Sequence, residues 1–81
     1  MRIDLVLKYL CLAKSRSAAK ALCDEGRVQI NGSAARAAAT VRAGDSITIR
    51  WPERVLTIQL VEVPQKQASK SDAPDSYRVV L

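Results

Sequence analysis

Residues 15–32 read SRSAAKALCDEGRVQING, and this stretch decides how the rest of the chain is arranged. Ser15 is a typical helix N-cap, with Ser17 as the alternative, and Gly26 is the residue type at which helices end in a left-handed conformation. Residues 27–30 alternate between polar and apolar side chains, which predicts a short strand. Asn31-Gly32 is the strongest short signal for a hairpin turn, because both turn positions need a positive φ. The stretch therefore predicts a helix to about residue 25 that leads directly into a hairpin.

Another short helix is predicted before this stretch, over residues 3–11. Its apolar residues recur at helical spacing and form one stripe: Ile3, Val6, Leu7 and Leu10. Asp4 lies in the first turn, where a carboxylate can cap N–H groups or favour the positive end of the helix. Asp4 can also orient Arg2 or Arg16 through a salt bridge, and the two roles are compatible.

The second half of the chain has the pattern of β-strands. Residues 46–51 and 54–63 alternate between apolar and polar side chains and are expected to pair as an antiparallel hairpin, with a bulge or bend near residues 60–62. Trp51 alternates in phase with the apolar residues of its strand, so we expect it to pack rather than to stack on bases. Residues 33–40 are small and Ala-rich, which favours an extended loop.

The chain ends with a polar segment and a short apolar one. Residues 64–76 read PQKQASKSDAPDS and are expected to form a mobile loop. Residues 77–81 read YRVVL and are expected to dock on the sheet edge as a closing strand, the alternative being a frayed tail. We therefore divide the chain into a domain over residues 1–63, a mobile loop over residues 64–76 and a closing strand over residues 77–81.

Charge is distributed unevenly along this small, single-domain chain. The net charge is +5 over 81 residues, and residues 1–50 carry all of the excess, with nine Lys or Arg against four Asp or Glu. A local positive field of this kind favours a phosphate-rich partner. The chain has no apolar run near the roughly 20 residues that a membrane helix needs, and no pattern of a secretory signal, so we expect a cytoplasmic protein. Cys11 and Cys23 are expected to be small apolar packing residues.

The residue types argue against catalysis and favour a binding module. The chain contains no His, and its carboxylates are scattered in positions typical of caps and turns. The sequence shows no nucleophile–base pair, metal-ligand spacing or phosphate loop, so we predict no catalytic residue, no metal and no cofactor. With few aromatic residues, we expect binding through phosphate and sugar contacts to structured RNA rather than through base stacking or duplex DNA reading.

Cations cluster around the start of the second predicted helix. Lys14 precedes the cap at Ser15, and Arg16 and Lys20 are one turn apart on the same face. The N–H groups at the start of a helix also favour an anion, so this region can hold a phosphate. The alternative is a solvated helix face with ordinary basic residues. Arg27 and Arg36 would contribute only at the rim of such a site.

Several separated motifs resemble the S4 RNA-binding domain. They are Arg2, Asp4 and Leu7, then Ser15-Arg16 followed by Ala18-Ala19, then Gly26, Val28 and Ile30-Asn31-Gly32, and finally Val41, Gly44-Asp45 and Ile47. The resemblance covers about residues 2–50 with the order intact. It implies an α+β fold, the S4-type αL motif, in which two or three short helices pack on an antiparallel sheet of about four to five strands. It also implies binding to structured RNA, chiefly ribosomal RNA and tRNA.

Nearly the whole chain is similar to small stand-alone S4 proteins of ribosome-associated quality control, the RqcP-like group. This resemblance implies partners: ribosomal RNA of the large subunit, peptidyl-tRNA and an RqcH-like protein, with alanine tailing of stalled nascent chains as the process. It places Arg2, Asp4 and Arg16 at the RNA face. The predicted RNA-binding residues are Arg2, Asp4, Lys8, Lys14, Ser15, Arg16, Lys20, Arg27 and Arg36, and the protein is expected to be a monomer.

Three other functions fit the sequence. One is the role of the small heat-shock S4 proteins, which bind free large subunits that carry a trapped chain. Another is an accessory RNA-binding domain of an RNA-modifying enzyme, against which the closing strand argues. The last is a protein-interaction module that uses the edge of the sheet.

Overall fold

A computed structural model of the chain describes residues 1–63 and 77–80. It contains two helices, α1 (Ile3–Tyr9) and α2 (Arg16–Asp24), and five strands. The strands are β1 (Val28–Ile30), β2 (Ser33–Ala34), β3 (Ser46–Arg50), β4 (Val55–Leu60) and β5 (Tyr77–Val79). The predicted α+β class, with two helices on a small antiparallel sheet, is confirmed. No helix in the described part of the chain is long and apolar enough to cross a membrane.

The sheet is antiparallel throughout and has the strand order β2-β1-β3-β4-β5. The predicted Asn31-Gly32 turn is confirmed: both residues have positive φ, 51° and 85°, and Ile30 pairs directly with Ser33. β3 and β4 form the expected second hairpin. Because β1 pairs with both β2 and β3, the segment that follows α2 is an interior strand of the sheet.

One face of the sheet packs against both helices. The core consists of the apolar stripe of α1, small residues of α2 and the inward residues of the central strands. Its largest fully buried side chains are Ile3, Val6, Leu7, Leu10, Val28, Ile47, Ile49, Ile58 and Leu60. On α2 the buried residues are Ala19 and Cys23, whose small side chains let α1 and α2 approach closely. The predicted helix stripe and strand alternation are therefore both confirmed.

α1 is shorter than the sequence predicts. It ends at Tyr9, with Leu10 as the C-cap residue, rather than at residue 11. Cys11 has a φ of 62°, a left-handed conformation that stops the helix. The carbonyl of Leu7 then accepts from the N–H groups of Leu12 (2.9 Å) and Ala13 (3.2 Å), so the connection folds back on the helix end. The sequence carries no glycine here to signal this stop.

The Ala-rich segment after the first hairpin has a defined structural role. β2 is only two residues long and the rest of residues 33–40 form a loop, as predicted, but Ala35 and Ala37 are buried. The N–H of Ile3 donates to the carbonyl of Ala39 (2.7 Å), and that of Asp4 donates to the carbonyl of Ala37 (3.3 Å). This loop therefore satisfies N–H groups at the start of α1, where a helix has no partners of its own.

The far side of the sheet differs slightly from the prediction. β4 ends at Leu60 and the chain bends at residues 61–62, close to the predicted position. β5 pairs with β4 in the register Ile58 with Val79 and Leu60 with Tyr77. The loop predicted over residues 64–76 lies outside the described residues. The division of the chain into domain, mobile loop and closing strand stays a prediction.

Candidate nucleic-acid interface

The candidate site is built on one buried carboxylate. Asp4 is 2% exposed and is a buried charged residue in the first turn of α1. Its Oδ1 accepts from the N–H of Leu5 (2.7 Å). Its Oδ2 accepts from Nη2 of Arg2 and from Nε of Arg16, each at 3.2 Å. Of the two roles predicted for Asp4, the geometry shows a first-turn hydrogen bond on one oxygen and ion pairs with both arginines on the other.

Secondary structure fixes the backbone position of both arginines. Arg2 immediately precedes α1, is extended, and forms a β-bridge with Thr40. Arg16 is the first residue of α2, directly after Ser15. The Ser15 hydroxyl accepts from the N–H of Ala18 (3.1 Å), which confirms Ser15 rather than Ser17 as the cap. Packing of α1 on α2 therefore brings together side chains that are 14 residues apart in sequence.

The arginines remain accessible although they share a buried partner. Their side chains are 47% and 48% exposed, against 3% for that of Asp4. A guanidinium has five N–H donors, and each contact with Asp4 uses one of them. Burial of the carboxylate and exposure of the cations together produce a surface that is positive toward solvent and whose charges have defined positions.

These side chains line one shallow, open depression of about 320 Å³. We call it the Asp4 surface, and it consists of Arg2, Asp4, Arg16, Ser17 and Lys20. Three cations and one carboxylate give it a net charge of +2. Lys20 lies one turn after Arg16 on the same helix face, as predicted. Ser17 was not among the predicted site residues, although its position three before Lys20 was a signal that could have found it.

The other predicted residues lie elsewhere. Lys8 is in the last turn of α1 and is half-buried, and Lys14 is exposed in the connection before the Ser15 cap. Nε of Arg27 lies 3.7 Å from Oε1 of Glu25, and Nη1 of Arg27 donates to the carbonyl of Arg50 (3.3 Å). Arg36 lines a separate depression beside β2 and the Ala-rich loop. The RNA contacts assigned to all nine residues stay predictions.

Two other ionisable groups have perturbed environments. Burial raises the pKa of the Cys23 thiol, and the nearby carboxylates of Asp4 and Asp24 raise it further, so this thiol is a poor nucleophile. Hydrogen bonds from the Arg42 N–H and the Asn31 side chain lower the pKa of Asp45. Within the described residues there is no group of three or more His, Cys, Asp or Glu side chains that could hold a metal ion.

Comparison with known proteins shows the family of the chain. Residues 1–47 match the S4 domain family. The RQC P-site tRNA stabilizing factor of Bacillus subtilis (strain 168) is 36% identical over 80 residues, a match that covers 99% of this chain and 92% of that protein. The similar protein of Helicobacter pylori (strain ATCC 700392 / 26695) is 36% identical over 64 residues, 79% of this chain and 76% of that protein.

A solved structure has the same fold over nearly the whole chain. The trimeric structure of Vibrio cholerae Heat Shock Protein 15 superposes with a TM-score of 0.93 at 28% identity, covering 99% of this chain and 81% of that one. This structural match extends well beyond residue 47 and includes the second hairpin. The chain therefore belongs to the S4 domain family, in the group of small proteins that includes the RQC P-site tRNA stabilizing factors.

Proposed function

We propose that this protein is a non-catalytic RNA-binding factor that acts on the large ribosomal subunit in ribosome-associated quality control. One observation carries the RNA-binding part: two half-exposed arginines share one oxygen of a buried carboxylate, and Lys20 lies in the same depression. Shared ion pairing positions the guanidiniums before a ligand arrives. A phosphate group then meets donors whose freedom is already restricted, which lowers the entropic cost of binding.

The ligand class follows from charge and shape. The Asp4 surface is open and shallow, so it suits a backbone that passes across it rather than an enclosed small molecule. Arginines recognise phosphate through paired N–H donors, and such contacts to a structured RNA require no base reading. Ser15, Lys14 and the first amides of α2 would extend the contact along the backbone, with Lys8, Arg27 and Arg36 further away.

The names of the relatives support the cellular setting. Proteins 30–36% identical to this chain are called RQC P-site tRNA stabilizing factors. By analogy, the partners of this protein are ribosomal RNA of the large subunit and peptidyl-tRNA, together with an RqcH-like protein. Its proposed role is to support C-terminal alanine tailing of stalled nascent chains in the cytoplasm, as a monomer and without a cofactor.

The substitution Arg16→Ala tests the site. It removes one guanidinium from the Asp4 surface while Arg2 still pairs with Asp4. We expect affinity for purified large ribosomal subunits to fall about 10-fold at physiological salt, with a smaller dependence of affinity on salt concentration because one phosphate contact is lost. The melting temperature should change by only a few degrees, because Arg2 and the Leu5 N–H still satisfy the buried Asp4 carboxylate and Arg16 itself is half-exposed.

Arg78→Ala is the matched control, since it removes one exposed arginine from β5, at the opposite edge of the sheet from β1 and β2. We expect its affinity to stay within about twofold of the wild type. Equal salt titrations for Arg16→Ala and the wild type would rule out the Asp4 surface as the RNA site.

A second candidate function is that of the heat-shock S4 proteins, because Heat Shock Protein 15 has the same fold with a TM-score of 0.93. In that case the protein would bind large subunits that carry a trapped chain without supporting tailing. Deletion of the gene distinguishes the two roles. Disappearance of alanine tails from stalled chains supports the first candidate, and unchanged tails support the second.

A further inference from the structure

A second cluster of arginines lies at the other end of α2. α2 begins with Arg16, and Arg27 follows its C-terminal end just before β1. A helix of nine residues is about 14 Å long, so the two ends are too far apart for one phosphate group to contact both. Arg27 therefore does not belong to the Asp4 surface, and its neighbours define a different site.

The strand ends bring three arginines and a tryptophan together. The N–H of Arg50 donates to the carbonyl of Arg27 (2.8 Å), and the Arg27 side chain donates to the carbonyl of Arg50 (3.3 Å). The turn between β3 and β4 is closed by mutual backbone hydrogen bonds between Trp51 and Arg54, at 2.8 and 3.3 Å. We call the group Arg27, Arg50, Trp51 and Arg54 the Trp51 surface.

Stacking orders one of these arginines. The guanidinium carbon of Arg54 lies 4.5 Å from the centroid of the Trp51 ring, a cation–π contact. The ring is half-buried and packs against the core, so it is a fixed platform. Stacking uses the face of the guanidinium and leaves its in-plane N–H donors for a ligand. Arg50 and Arg54 are both exposed. Arg50 is the last residue of β3 and Arg54 directly precedes β4, so the β-hairpin fixes the backbone position of both.

Carboxylates reduce the charge of this surface without cancelling it. Glu25 pairs with Arg27, and Glu53 lies in the turn itself. Three cations and two carboxylates leave a net charge of +1, carried mainly by Arg50 and Arg54. This balance makes the contribution of Glu53 testable, because its neutralisation should strengthen attraction for an anion.

We propose that the Trp51 surface is a second RNA-binding site, which contacts phosphates of a different RNA segment from the one on the Asp4 surface. The proposal rests on the proposed function, since an RNA already positioned at one end of α2 is the polyanion nearest to the other end. The protein would then join two RNA segments through a rigid helix and sheet. Those segments come from ribosomal RNA, tRNA or one of each.

The test uses full-length protein and two RNA probes, bulk bacterial tRNA and RNA extracted from bacterial large ribosomal subunits. The double variant Arg50→Gln/Arg54→Gln neutralises the Trp51 surface, and Arg16→Gln impairs the Asp4 surface. The charge-matched control is Arg42→Gln/Arg78→Gln, whose residues lie at the opposite end of the β3–β4 hairpin. Thermal melting of each variant checks that it is folded.

We expect Arg50→Gln/Arg54→Gln to weaken binding of at least one RNA by about 5- to 20-fold, and to reduce the slope of log affinity against log salt by about 1.5, the value for two lost phosphate contacts. The control should change affinity by less than about threefold. The probe that loses affinity identifies the source of the RNA. Glu53→Gln should tighten binding of the same RNA by about twofold.

Trp51 provides a direct second measurement because it is the only tryptophan in the chain. RNA bound at the Trp51 surface should change its fluorescence and protect it from a soluble quencher. Arg16→Gln should need more RNA to reach the same final change, whereas Arg50→Gln/Arg54→Gln should lose the change itself. Emission that is unaffected by RNA at saturation contradicts the proposal.

The possible failures are distinguishable. If Arg50→Gln/Arg54→Gln binds both RNAs like the control variant while Arg16→Gln binds weakly, the second site is wrong and the proposed function stands. If only Arg50→Gln/Arg54→Gln binds weakly, the Asp4 surface is wrong and the Trp51 surface is the RNA site. If neither variant differs from the wild type, both assignments are wrong, and a protein segment becomes the candidate partner of the exposed arginines.

Discussion

The Asp4 surface and the Trp51 surface lie at opposite ends of α2 and order their arginines by different means. At the first, a buried carboxylate accepts from two guanidiniums at 3.2 Å each. At the second, an aromatic ring lies 4.5 Å below one guanidinium. A carboxylate fixes direction strongly but cancels a charge, whereas a ring fixes position weakly and leaves the charge intact. The comparison shows two ways in which a small domain can preorganise cations.

The two arrangements also differ in their link to folding. Asp4 is buried between the start of α1 and the start of α2, so its interactions exist only in the folded chain. A buried carboxylate that loses its partners is strongly unfavourable, because its charge is then left unpaired away from water. Arg54 and the outer part of Trp51 are in a hairpin turn, where changes affect fewer buried groups. We therefore expect RNA binding to be coupled to stability at the Asp4 surface, and to be separable from it at the exposed Arg50 and Arg54 of the Trp51 surface.

The substitution Asp4→Ala should have the largest effect. It removes the shared partner of two arginines and the acceptor of the Leu5 N–H. We expect the free energy of unfolding to fall by about 1–3 kcal/mol, below the value for a fully buried pair because both arginines can turn to water. RNA affinity should fall about 3- to 10-fold, since the guanidiniums lose their fixed positions.

Urea denaturation and RNA titration measure these two quantities. Asp24→Ala is the control because Asp24 is an exposed carboxylate at the end of α2, and its change should be within about 0.5 kcal/mol. An Asp4→Ala variant with the stability of the wild type would break the comparison, because it would mean that the carboxylate has no structural role.

Trp51→Leu should have an intermediate effect. It removes the platform beneath Arg54 and part of the packing of a half-buried ring, so we expect a loss of about 1–2 kcal/mol in the free energy of unfolding. RNA affinity should fall about two- to fivefold, because Arg54 keeps its charge but loses its order. Trp51→Phe keeps an aromatic face and is the control, with about half of each effect.

Salt titrations of both Trp51 variants sharpen this prediction. Arg50 and Arg54 are unchanged, so the slope of log affinity against log salt should match that of the wild type. A slope reduced as much as in Arg50→Gln/Arg54→Gln would mean that the ring positions the arginines completely rather than partially.

Asp45→Asn should have the smallest effect, and it tests a third way of using a carboxylate. Asp45 is accessible and accepts from the Arg42 N–H (3.0 Å) and from the Asn31 side chain (3.2 Å), which lowers its pKa. A carboxylate whose pKa is lower in the folded state stabilises the fold above its unfolded pKa, and this stabilisation is lost as the pH falls through the folded pKa. We expect a difference of about 1 kcal/mol or less between wild type and variant at neutral pH, because solvent screens the group.

Urea denaturation at several pH values checks the sign. The difference between wild type and Asp45→Asn should shrink as the pH falls below about 4, because the wild-type side chain then also becomes neutral. RNA affinity should be unchanged, since Asp45 lies on neither arginine surface. A difference that grows on acidification would contradict the assignment of the lowered pKa to these two hydrogen bonds.

The local features of the fold could be predicted because each depends on a few neighbouring residues. The Ser15 cap, the left-handed Gly26 and the Asn31-Gly32 turn are confirmed at their positions. The end of α1 was predicted two residues too late, because Cys11 adopts a positive φ that its residue type does not favour. Hydrogen bonds from the N–H groups of Leu12 and Ala13 to the carbonyl of Leu7 offset the cost of this conformation, and a local sequence pattern does not reveal them.

The candidate site could be predicted only in part. Arg16 and Lys20 share a helix face by spacing alone, and the resemblance to S4 domains added Arg2 and Asp4. Ser17 was missed, and Arg27 was placed at the rim although it bonds to Arg50 at the far end of α2. Trp51 was expected to pack and does so, but its contact with Arg54 depends on the closure of a turn that contains Pro52.

By itself, the sequence determined the class of fold, the positions of the helix cap and hairpin turn, and the basic character of the first fifty residues. These properties follow from side-chain periodicity, backbone preference and charge, which act over a few residues. Only the tertiary structure decided that Asp4 is buried, that one of its oxygens accepts from two arginines, and that the Trp51 surface forms at the other end of α2. Those outcomes depend on how α1, α2 and the strand ends pack, and packing brings together residues whose separation in sequence carries no local signal.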